Sequence, residues 1–118
     1  MNILSLTKSG YIQIFQQPLQ TSAKLTFGNG LLIDLDTKEK ISQFSGFIAK
    51  GEAGKLQIGK FVVHVDFDFD TEENFWEVIL THKNYSLHFK VEELLTQISP
   101  AHVAEFLRIR KEVAGEWR

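Results

Sequence analysis

The sequence predicts an α+β fold, an antiparallel meander of about seven or eight strands, strongly curled or partly barrel-like, with one or two C-terminal helices. Three observations carry this. Short apolar segments alternate with glycine-bearing breaks at antiparallel-strand spacing. The hydrophobic period changes from two to that of a helix near residue 91. The chain has 118 residues, 43% of them hydrophobic and 24% charged, which suits one folded domain. That domain is expected to span 1–118, with the sheet over 1–91 and the helices of 92–115 packed on it. The sequence shows no internal repeat, low-complexity tract or linker.

The opening reads as a hairpin. Ile3-Leu4-Ser5-Leu6 turns at Lys8-Ser9-Gly10 and returns as Tyr11-Ile12-Gln13-Ile14-Phe15, ended by Gln17-Pro18 because proline donates no ladder hydrogen bond. A second hairpin sets Ala23–Phe27 against Leu31–Leu35 across Gly28-Asn29-Gly30, residues that tolerate the positive φ of tight turns. Between Ile41 and Ile58, Phe44, Gly46 and Ile48 alternate with Ser45 and Phe47. There Gly51-Glu52-Ala53-Gly54 reads as the turn of a third hairpin returning through Lys55–Ile58.

The strongest strand follows Gly59. Phe61, Val63, Val65, Phe67 and Phe69 lie on one face, and Val62, His64, Asp66 and Asp68 on the other. A further hairpin runs from Phe75 to Thr81 and back from Tyr85 to Val91, turning at His82-Lys83-Asn84. Val91, Leu94, Leu95 and Ile98 then form a one-sided helical stripe. Ser99 supplies an N-cap oxygen and Pro100 a pre-set first helical position. The last helix is expected to bury Val103, Phe106, Leu107, Ile109 and Val113, to leave Arg108, Arg110 and Lys111 solvated, and to close at Gly115.

Several chemistries are excluded. Cysteine is absent, which removes disulfides, thiolate zinc sites and a cysteine nucleophile. No phosphate loop, nucleophile elbow or metalloprotease motif occurs, so no catalytic residue and no cofactor are expected. The net charge of −2 gives no general basic field for nucleic acid. No apolar run approaches the ~18 residues of a membrane span, and no secretory leader opens the chain. A cytoplasmic protein is therefore expected.

The segment from Asp66 to Glu77 matches an EF-hand loop at Asp66, Asp68, Asp70, Glu72, Asn74 and Glu77. Thr71 replaces the turn glycine, and the flanking pattern is that of a strand, so calcium is not expected. His64 and Asp66 share a strand face at a spacing that suits a transition metal, but no second histidine can be placed beside them. The histidines His64, His82, His88 and His102 lack ligand spacing, and no metal is expected.

Charge distribution is the uneven feature. Residues 1–60 carry +3, and residues 83–118 carry +1. Residues 61–82 contain no lysine or arginine and six acids: Asp66, Asp68, Asp70, Glu72, Glu73 and Glu77. Such a surface attracts a basic protein partner, and these six residues are the candidate contact set. A solubilising acidic edge is the competing explanation.

A small, cysteine-free domain without catalytic residues and with a clustered acidic face resembles bacterial toxin-immunity proteins of the contact-dependent inhibition type. The resemblance rests on size, architecture and charge. It implies tight one-to-one binding of a cognate toxin domain, often a nuclease, and protection of the producing cell. Two other readings stay open: a barrel-like domain whose ten phenylalanines enclose an apolar ligand, and a secretion chaperone with exposed strand edges.

Overall fold

Four strands followed by a helix occur twice along the chain. The computed structural model describes residues 1–116, with side chains through residue 110. The first sheet pairs β1 (Asn2–Thr7), β2 (Gly10–Gln16), β3 (Thr21–Phe27) and β4 (Leu32–Leu35) in chain order, and α1 (Lys38–Lys50) follows. The second pairs β5 (Gly54–Ile58), β6 (Phe61–Asp70), β7 (Phe75–His82) and β8 (Tyr85–Lys90), again in order. After it come α2 (Val91–Ile98), a 3-10 turn at Pro100–His102 and α3 (Val103–Glu116). The fold is α+β with antiparallel sheets. It is not one curled or barrel-like meander, because its strands divide into two open sheets with α1 between them in the chain.

The expected third hairpin is corrected to helix α1. Phe44, Gly46 and Ile48 do alternate, but Ile41, Phe44, Ser45, Ile48 and Ala49 form the buried stripe of a helix. Its ends explain the outcome. Thr37 Oγ1 accepts the Lys40 N–H at 3.2 Å, an N-cap bond. Gly51 takes a left-handed φ of 63° and donates its N–H to the Ile48 carbonyl, ending the helix where a hairpin turn was expected.

Elsewhere the alternation reads through. Ile12, Ile14, Ala23, Leu25, Phe27, Ile33 and Leu35 bury the inner face of the first sheet. Val63, Val65, Val78, Leu80, Leu87 and Phe89 bury that of the second. Val91, Leu94, Leu95 and Ile98 of α2 are all buried, as their spacing requires. One continuous cluster joins both sheets to α1, α2 and Phe106 of α3.

The last helix and its approach differ from expectation in several ways. It packs mainly on α1 and α2. Among its described side chains only Phe106 is fully buried, at 2% exposure, whereas Leu107 is 42% exposed. Arg110, expected in solvent, is half-buried against β7 and α1. The helix runs to Glu116 and so does not close at Gly115, while the side chains of Lys111 and Val113 lie outside the described residues. Ser99 turns its hydroxyl to His102 Nδ1 at 2.7 Å and caps no backbone N–H.

Candidate partner-binding face

The acidic residues collect on β6, β7 and the turn between them, where this ribbon runs past the end of β5 and, at its tip, past the end of β8. The β5–β6 ladder ends at Gly54 opposite Val65, and the β7–β8 ladder ends at Glu77 opposite Lys90. The β6–β7 ladder continues to Asp70 opposite Phe75. From Asp66 onward, β6 therefore has β7 as its only strand neighbour. Asp66, Asp68, Asp70, Glu72 and Glu73 are exposed, and Glu77 is half-buried on the same outer face. The structure thus brings the six candidates together, but it gives them different tasks.

Asp66 and Asp68 stand at alternate outward positions on β6. Each carboxylate accepts the N–H of the next residue, Phe67 at 2.8 Å and Phe69 at 2.9 Å. Those donors belong to the stretch that β5 no longer covers, so the two aspartates satisfy groups a third strand would otherwise take. Asp70 builds the turn. Its Oδ1 accepts the N–H groups of Glu72 at 3.0 Å and Glu73 at 2.9 Å, while its carbonyl accepts the Asn74 N–H at 2.8 Å. Asn74 takes the left-handed φ of 60° that this turn needs, a conformation asparagine tolerates.

The register gives the face its electrostatics. One row across the sheet reads Asp68, Glu77 and Lys90, and the next reads Asp66, Ile79 and His88. Asp68 and Glu77 are directly opposite, an arrangement of like charges that destabilises a ladder. Glu77 Oε1 meets His88 Nδ1 at 2.8 Å, and Glu73 Oε2 lies 4.0 Å from Lys90 Nζ. Asp68 has no ion-pair partner among the described residues.

Two further acids belong to this region. Where β8 ends, the chain turns into α2 and presents Glu92 and Glu93 in its first turn, where they also suit the helix dipole. Both are exposed, and both line a cleft with Phe75 and Trp76 of the ribbon and Phe106 and Leu107 of α3. Sequence spacing does not reveal this, because the β7–β8 hairpin and α3 create the neighbourhood. The available signal is Glu92-Glu93 opening the helical stripe immediately after a strand.

Among the described residues no group of three His, Asp or Glu side chains could hold a metal ion. No helix of the described residues is long and apolar enough to cross a membrane. No protein-family model, curated protein or solved structure matches the chain.

Proposed function

We propose that the chain is a non-enzymatic binding protein that docks a basic protein partner through the β6–β7 ribbon. In the form its size, architecture and charge suggest, it is a cytoplasmic immunity protein that covers the cationic site of a cognate bacterial toxin. The supporting observation is the opposition of Asp68 and Glu77 within a ribbon that carries six carboxylates. A ribbon needed only for solubility gains nothing from placing like charges face to face. A partner's cation lodged between them removes that repulsion. Steered association of this kind is fast at low salt and fades as the Debye length falls from about 10 Å at 0.1 M to about 3 Å at 1 M.

The test is the double change Asp66→Lys and Asp68→Lys, with Asp70 kept because it folds the turn. Lysine also discourages edge pairing, so the variant should fold. The assay pairs the chain with the protein encoded beside it, reading one-to-one binding and survival of cells that express that protein's toxic domain. Wild type should bind and protect, and the variant should do neither. Unchanged affinity in the folded variant would assign these carboxylates to edge protection alone.

A further inference from the structure

The cleft beside the ribbon has a volume of about 320 Å³. It is lined by Phe75, Trp76, Phe106 and Leu107 together with the exposed Glu92 and Glu93. β7 outruns β8, so Phe75 and Trp76 lie past the end of the β7–β8 ladder. We infer that this cleft is the anchor pocket for an arginine side chain of the basic partner, an inference that rests on the docking role proposed above.

The chemistry of the cleft selects a cation. Glu92 and Glu93 have no ion-pair partner among the described residues. Lys90, the basic side chain in the lining, is engaged by the cleft's own edge: its Nζ lies 4.5 Å from the centre of the Phe75 ring and 4.0 Å from Glu73 Oε2. Within the lining, two carboxylates thus stand against one cation.

The same region shows that its rings accept cations. Lys90 sits over Phe75, and the Arg110 guanidinium carbon lies 5.4 Å from the centre of the Trp76 ring. Arginine fits better than lysine for two reasons. A guanidinium is planar and weakly hydrated, so it can lie against aromatic and aliphatic walls without losing much solvation. Its fork can also meet a carboxylate through two hydrogen bonds, whereas an ammonium is a hydrated point charge. Buried arginines in such pockets are typical energetic anchors of interfaces, with flanking charges setting the rate of approach.

The experiment titrates the full chain, labelled for NMR, with hexa-arginine and with hexa-lysine peptides at low salt. Hexa-arginine should bind about fivefold more tightly than hexa-lysine. It should shift the Trp76 indole and the amides of Phe75 and Leu107. Leu107→Trp, at an exposed position, should fill the cleft and abolish the preference while leaving hexa-lysine affinity unchanged. Glu92→Gln with Glu93→Gln should abolish it without changing the cleft's shape. Equal affinities, with shifts confined to residues 66–73, would overturn the anchor and leave the acidic ribbon as a docking face. Failure of both peptides to bind would overturn the two proposals together.

Discussion

Arg110 Nη2 donates to the backbone carbonyl of Lys50 at 3.1 Å, which ties α3 to the last turn of α1. The contact depends on Gly51, since a Cβ there would lie 2.5 Å from Arg110 Nε. The other side of the guanidinium covers Trp76. Arg110→Ala removes a hydrogen bond and a ring contact together and should lower stability by about 2 kcal/mol. Arg110→Lys should recover less than half of this, because an ammonium has no plane to stack. Chemical denaturation of the three proteins decides the matter.

Phe106 and its neighbour Leu107 separate core from surface on α3. Phe106→Ala should cost about 3–5 kcal/mol, the usual range for a buried aromatic ring. Leu107→Ala should cost less than about 0.5 kcal/mol, as surface changes do. Similar losses for both in urea titrations would contradict the orientation of α3.

Ser45 is fully buried in α1, and its hydroxyl has no hydrogen-bond partner among the described residues. Ser45→Ala therefore removes an unsatisfied polar group and adds a better helix former. Stability should rise by about 1 kcal/mol. A drop in melting temperature would mean that the hydroxyl is bonded in solution.

Asp36, just before the α1 cap, is held below the ordinary aspartate value by its hydrogen bond from Lys40 Nζ at 3.0 Å. A depressed folded value means that the charge favours the folded state above the ordinary aspartate value, and that this support is lost as pH falls through the depressed one. Following the Asp36 carboxyl by NMR should give a low midpoint, and Lys40→Met should raise it. No change on removing Lys40 would detach the shift from this pair.

What was legible in the sequence follows from period and distance. The β6 faces were readable because Phe61 to Phe69 alternate without a break, and α2 because its four buried residues fit no strand period. α1 reads as a strand in the sequence because Phe44, Gly46 and Ile48 satisfy the period of a strand, while the deciding signals, Thr37 and Gly51, lie at its ends. The division into two sheets leaves no mark on alternation, since a strand has the same two faces in either arrangement. Of the candidate face, the acids within one hairpin were visible as a run. Glu92, Glu93 and the aromatic cleft were not, because their meeting depends on where β8 stops and how α3 lies.

Every ladder among the described residues joins strands adjacent in the chain. Pairing therefore needs only short loops to close, so this topology should fold faster than a sandwich or barrel of equal length, where distant segments must meet first. Long-range contacts, among them those of β8 with β1 and β2, join the two halves. During synthesis, the first meander can complete all its strand pairs as soon as residue 35 has left the ribosome, before any of the acidic ribbon exists.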